Sequence, residues 1–172
     1  MITLDMFLQT IENRAFRMAS LAVHNEADAL DIVQDSMIKL ATRYGDKPSE
    51  QWRPLFYTIL NNCILDWHRK DTRWRRWFVR DHIDDDEDAS LLEVEDDFGP
   101  IEHLQNAQLT DELLAVIEAL PVKQQQCFLL RCWEGFSVQQ TAEVMCVNEG
   151  SVKTHYHRAM QKIQSALQEG DV

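Results

Sequence analysis

Two stretches of the chain carry residue types suited to nucleic acid. Trp67 to Arg80 reads WHRKDTRWRRWFVR, six Arg and Lys and four aromatic residues in fourteen positions. Cations interleaved with flat rings fit a single strand, because the charges follow the phosphates while unstacked bases lie on the ring faces. The alternative is that the tryptophans close a core and the arginines solvate its edge, since Trp is usually mostly buried. The second stretch, Gly150 to Arg158, reads GSVKTHYHR. Lys153, Thr154, His155, His157 and Arg158 are types that bond phosphates and base edges when a helix lies in the major groove.

Catalytic chemistry has no comparable signal. The chain lacks a Gly-rich phosphate loop, a nucleophile elbow and a His/Glu metal signature, so no catalytic residue and no cofactor are predicted. Cys63, Cys127, Cys132 and Cys146 form no CxxC pair, which favours buried thiols over metal ligands or disulfides. Asp84, Asp86, Asp88 and Glu95 fall at calcium-loop spacing, but Ala89 stands where the sharp turn requires glycine, so no metal site is predicted.

Helices must position both stretches. Ser137 precedes Val138–Met145, a short helix by its spacing, and a serine there can accept hydrogen bonds from the first amides. Cys146–Gly150 interrupts, after which Val152, Tyr156, Ala159, Ile163 and Leu167 recur along one face of a longer helix. The pair reads as a helix-turn-helix with its polar face outward, or as an ordinary helical hairpin. A helix marked by Leu109, Leu113, Val116, Ile117 and Leu120 precedes it and ends at Pro121; another runs from Val122 to Glu134 and stops at Gly135.

The basic-aromatic stretch continues a helix whose apolar side is Phe56, Ile59, Leu60, Cys63, Ile64 and Trp67. It starts after Gly45–Ser49, with Pro54 placed in its first turn, where a missing N–H costs nothing. Before it, Leu4, Leu8, Ile11, Ala15, Met18 and Ala22 mark one amphipathic helix. Asn25 starts another, with Leu30, Val33, Met37, Leu40 and Tyr44 on its apolar face and Asp31, Gln34, Asp35 and Lys39 opposite.

The net charge of −12 is unevenly spread: residues 1–80 hold 12 Lys and Arg against 10 Asp and Glu, whereas 81–97 hold none against 10. The acidic total therefore leaves DNA binding open. Self-repelling and poor in apolar residues, 81–100 reads as a flexible acidic linker. The expected fold is all-α: two small helical domains, 1–80 and 101–169, on either side of it. With 45% apolar residues and no apolar run near the roughly 20 residues that cross a bilayer, membrane insertion is not expected. Nor does MITLDMFLQT look like a signal peptide, so the expected location is cytoplasmic.

This order of parts resembles the extracytoplasmic-function branch of bacterial sigma factors, over nearly the whole chain. ALDIVQDSMIKL, from Ala29, is similar to the family's polymerase-binding helix. LFYTILNNCILDWHRK, from Leu55, is similar to the helix that recognises and opens the upstream edge of the melted promoter, although Leu55 stands where tryptophan is common. Leu120–Ala159 resembles the promoter-binding C-terminal domain, with His155 and Met160 at places often held by arginine.

The resemblance implies a dissociable specificity subunit without an active site. Asp31, Gln34, Asp35 and Lys39 would grip the clamp helices of core RNA polymerase, the flap being a second contact. Tyr57, Asn62, Asp66, Arg69, Lys70, Arg73 and Trp74 would take the single-stranded minus-ten element. Ser151, Lys153, Thr154, His155 and Arg158 would read the double-stranded minus-thirty-five element, and an anti-sigma factor is a further implied partner. The alternatives are a helix-turn-helix regulator acting outside the polymerase and, further off, a helical protein-binding adaptor.

Overall fold

In a computed structural model the chain divides into two compact units, Met1–Asp84 and Asp85–Val172. The residues described are 1–78 and 111–170, with side chains described through Asp71 and again from Asp111 to Glu169. Leu109, the acidic linker and the calcium-like spacing within it lie outside them. Among the described residues every regular element is helical.

Three helices build the first unit: α1 (Leu4–Val23), α2 (Glu26–Tyr44) and α3 (Ser49–Phe78). Thr3 caps α1 by accepting from the Met6 amide, and Ile11, Ala15, Met18 and Ala22 bury one face. The helix ends where His24 turns left-handed at φ 57° and its N–H bonds the Ser20 carbonyl. One residue later the Asn25 side chain accepts from the Asp28 amide at 3.0 Å and starts α2. The corner between α1 and α2 is thus only two residues long, which makes the helices antiparallel neighbours.

The buried seam of α2 is Ala29, Ile32, Val33, Ser36 and Leu40, close to the expected one but not the same. Ala29 and Ser36, fully buried, let the helices approach, and the Ser36 hydroxyl is satisfied by the Ile32 carbonyl at 2.7 Å. Leu30, expected in the core, is 45% exposed instead. Gly45 follows because a Cβ there would lie 2.6 Å from the Ala41 carbonyl oxygen.

Helix α3 begins at Ser49, so Pro54 is its sixth residue and not in the first turn as expected. It has no N–H to bond the Glu50 carbonyl, and the helix continues because Trp52, Phe56, Leu60 and Ile64 bury one face. Phe7 meets Trp52 and Phe56 at ring separations of 5.9 and 6.5 Å, tying α1 to the start of α3.

The described part of the second unit contains α4 (Asp111–Ala119), α5 (Val122–Phe128), a π-helical turn (Leu129–Trp133), α6 (Val138–Met145) and α7 (Glu149–Gly170). The continuous helix expected from Val122 to Glu134 departs from α geometry at Leu129. There the Glu134 amide bonds Leu129 at 3.1 Å and the Phe136 amide bonds Leu130 at 3.0 Å. Gly135 then takes φ 70°, a left-handed conformation natural to glycine. Ser137 and Gln140 form a reciprocal capping box at the start of α6. Cys146 ends α6 at φ 56°, and the Asn148 side chain accepts from the Ser151 amide at 2.7 Å to start α7.

Candidate functional site

On α2 the candidate residues Asp31, Gln34 and Asp35 are exposed, and Lys39 is partly so. Lys39 pairs with Asp35 at 3.0 Å, and the hydrogen bond to that carboxylate holds the Lys39 ammonium above the ordinary lysine pKa. Two apolar side chains interrupt this polar face, Leu30 and, two turns on, Ile38, which is 60% exposed. Leu30 also lines a groove of about 450 Å³ between α1 and α2, where Phe16 and Val33 are apolar and Glu12 and Glu26 supply carboxylates. An acidic helix face with leucine and isoleucine left uncovered has the anatomy of a docking surface.

Across α2 a second groove of about 300 Å³ joins Asp31, Asp35 and Lys39 to Cys63, Asp66, Trp67 and Lys70 of α3. The structure therefore brings together residues expected to contact two different partners. The Cys63 thiol lies 3.7 Å from both the Lys39 ammonium and an Asp35 carboxylate oxygen. Asn62, Asp66, Arg69 and Lys70 are exposed along α3, and Arg69 is paired with Asp66 at 3.0 Å. Tyr57 is corrected: at 1% exposure it belongs to the core, packed edge-on against Phe56 at 5.6 Å with the Arg53 guanidinium 5.9 Å from its ring centre. The helix backbone carries Arg73 and Trp74 onward to Phe78, but their side chains lie outside those described.

On α7, Ser151, Lys153, His157 and Arg158 are partly exposed. Thr154 and His155 are not, at 2% and 3%, so of the residues expected to read the minus-thirty-five element these two do not project outward. His155 lies three residues after Val152 and four before Ala159, which puts it on the helix's buried seam. The Thr154 hydroxyl is spent on the Gly150 carbonyl at 3.0 Å. Met160 is likewise 1% exposed, so neither place where arginine is common presents a side chain outward.

The seam of α7 is held by the π turn, which sequence reasoning missed. Arg131 donates to the Phe136 carbonyl at 3.1 Å and places its guanidinium 5.2 Å from the centre of the Tyr156 ring. The Cys132 sulfur is 3.2 Å from the Tyr156 hydroxyl, and the Cys127 thiol donates to the Val152 carbonyl at 3.2 Å. Burial pushes the Cys127 thiol up to about 12 and raises the Tyr156 hydroxyl as well. These two cysteines are buried as expected, whereas Cys63 is half-buried and Cys146 is exposed.

Residues 110–163, the helix-turn-helix with its supporting helices, match the family model described as sigma-70, region 4. Over 158 residues the chain is 29% identical to the RNA polymerase sigma factor SigV of Bacillus subtilis, covering 91% of this chain and 86% of that one. The chain belongs to the sigma-70 family, in its extracytoplasmic-function branch. The sigma-E factor of Streptomyces avermitilis is a further relative of this sigma factor, 25% identical and covering 96% of this chain and 86% of its own. In fold, this sigma factor is similar to RpoE of Bartonella quintana, solved with the anti-sigma factor NepR. The TM-score is 0.69 at 20% identity, over 95% of this chain and 96% of that one. No described helix is long and apolar enough to cross a membrane.

Proposed function

We propose that this sigma factor binds core RNA polymerase through the outer face of α2 and directs initiation at promoters that its two units read separately. The observation that carries the reading is the uncovered Leu30 beside Asp31, Gln34 and Asp35, on a helix whose opposite face is closed by Ala29, Val33 and Leu40. A carboxylate-rich face with apolar anchors suits a basic helical partner such as the polymerase clamp helices. A regulator acting outside polymerase would have no use for it.

Asn62, Asp66, Arg69 and Lys70, with Arg73 and Trp74 beyond them, take the single-stranded minus-ten element on this reading. Ser151, Lys153 and Arg158 meet the minus-thirty-five duplex, His157 stands beside them, and Thr154 and His155 pack α7. Domains at 1–80 and 101–169, tethered by the acidic segment 81–100, raise each other's local concentration on one promoter. The flap contact and an anti-sigma partner follow from the family, as does action in the cytoplasm, where polymerase is. The role is that of an initiation factor without catalysis.

The deciding experiment is Asp31→Arg together with Asp35→Arg, assayed by co-purification with core polymerase beside circular dichroism. The double variant is expected to fold and to lose core binding, because both side chains are exposed. A folded double variant that still co-purified with core would assign α2 another role.

A further inference from the structure

Helix α3 outruns the bundle that supports it. Thirty residues of α-helix extend about 45 Å, yet the last fully buried side chain on it, among those described, is Ile64. From Leu65 to Asp71 every residue is partly or wholly exposed, and this is where the basic stretch begins. Two adjacent polar ties hold it there. The Trp67 indole N–H donates to an Asp28 carboxylate oxygen at 3.2 Å, and His68 Nε2 donates to the Ala22 carbonyl at 2.8 Å.

Both acceptors belong to the short corner between α1 and α2. Ala22 lies in the last turn of α1, where carbonyls lack helical partners. Asp28 lies in the first turn of α2, its own amide capped by Asn25. The same Trp67 lines the groove that reaches Asp31 and Asp35. A bond from neutral N–H to carboxylate is charge-assisted and directional, so it fixes the rotation of α3 about its axis as well as its position.

We propose that Asp28 and Trp67 are positioning residues for promoter opening: their bond sets the angle at which Arg69, Lys70 and the rest of the basic helix leave the polymerase-binding face. On this proposal the pair acts through the helix it orients and not by its own contact with core or DNA. Its contribution is made when the minus-ten strand is captured from a closed duplex, because capture competes with re-pairing and tolerates no wandering of the binding helix. A strand already unpaired can wait for the helix to align. The inference rests on the function proposed above.

The test uses holoenzyme reconstituted from the full chain and core polymerase. Its DNA is a promoter selected from a random library by the wild-type holoenzyme, supplied either as duplex or with a pre-opened minus-ten bubble. Trp67→Phe keeps the ring and removes the N–H; Asp28→Ala removes the acceptor; Asp28→Asn keeps an acceptor oxygen. Permanganate reactivity of unpaired thymines reports opening. For Trp67→Phe and Asp28→Ala, opening of the duplex is expected to slow by about tenfold, the worth of one hydrogen bond to a charged group. Core affinity and binding to the bubble template should stay within about twofold of wild type on that same scale.

Asp28→Asn should recover most of the rate, and the double variant Asp28→Ala/Trp67→Phe should be no worse than either single one. Duplex opening at the wild-type rate by Trp67→Phe would overturn the proposal. So would an equal loss on duplex and bubble, or additive losses in the double variant. Failure of the wild-type chain to bind core at all would instead overturn the function proposed above, which keeps the two ideas separable.

Discussion

Truncating Leu30 to alanine should weaken core binding by an amount set by how much of that side chain is still in water. Leu30 is 45% exposed in the free protein. Full burial of a leucine is worth about 1.5–3 kcal/mol, so docking has roughly 0.7–1.4 kcal/mol left to gain, about three- to tenfold in Kd. Ile38, 60% exposed, offers roughly 0.9–1.8 kcal/mol by the same reasoning. The residues are two helical turns apart, so their effects should add to one or two orders of magnitude in the pair, roughly 1.6–3 kcal/mol. Ile32→Ala is the contrasting substitution, because that side chain is 8% exposed and its loss should cost about 2–5 kcal/mol of folding stability. Titration of labelled core polymerase with each variant, beside thermal melting, measures both. Wild-type affinity in the folded Leu30→Ala/Ile38→Ala pair would refute the placement of polymerase on this face.

Other consequences concern the second unit. Ser137→Ala breaks the capping box with Gln140 and should cost about 1 kcal/mol of stability, seen as a lower melting temperature of that unit. Lys153→Ala should lower the salt slope of promoter binding by about one unit by removing a phosphate contact, whereas Arg158→Ala should relax sequence preference at a cost of about 1–3 kcal/mol. His155→Ala should leave the salt slope alone and lower the melting temperature, since the residue is buried; a changed slope would return it to the DNA face. Cys127 keeps its proton to about pH 12 in the folded chain against a reference value of 9. The unfolded state therefore binds fewer protons between those values and stability must fall as pH rises through that window. Urea melts across it should show a shallower fall in Cys127→Ala, and alkylation at neutral pH should reach Cys146 and Cys63 before Cys127 and Cys132.

Local signals with one geometric meaning were legible from residue types alone. Asn25 and Ser137 mark helix starts that the structure places at the same residues, and Gly135 takes the left-handed conformation expected after the apolar run. The family was legible as well, because its three segments occur in order. What could not be read was the exact seam of a helix when small residues fill it. Ala29 and Ser36 carry little hydrophobic signal yet are fully buried, whereas Leu30, whose type and spacing predict the core, stands in water. The opposite error befell Tyr57, Thr154 and His155. Family resemblance or residue type placed them on the DNA-facing side, but a helix buries positions by angle, and the Thr154 hydroxyl is met locally by the Gly150 carbonyl. The π turn has no composition of its own: LLRCW would propagate an α-helix equally well, and its contacts with Tyr156 of α7 join residues far apart in the chain.

That wider turn has a consequence for how this chain can change length. A deletion of one residue between Leu129 and Trp133 would let the local hydrogen bonds revert to the commoner α pattern, and by that measure alone it should be harmless. The flanking segments would keep nearly their phase, because a residue of the wide turn sweeps less angle than one of α-helix, but the side chains within the turn would shift by one position. Arg131 and Cys132 could not both stay against Tyr156. Substitutions in this segment are thus graded in cost while single-residue deletions are not. The spacing between Pro121 and Gly135 is a fixed length on which the packing of α7 depends.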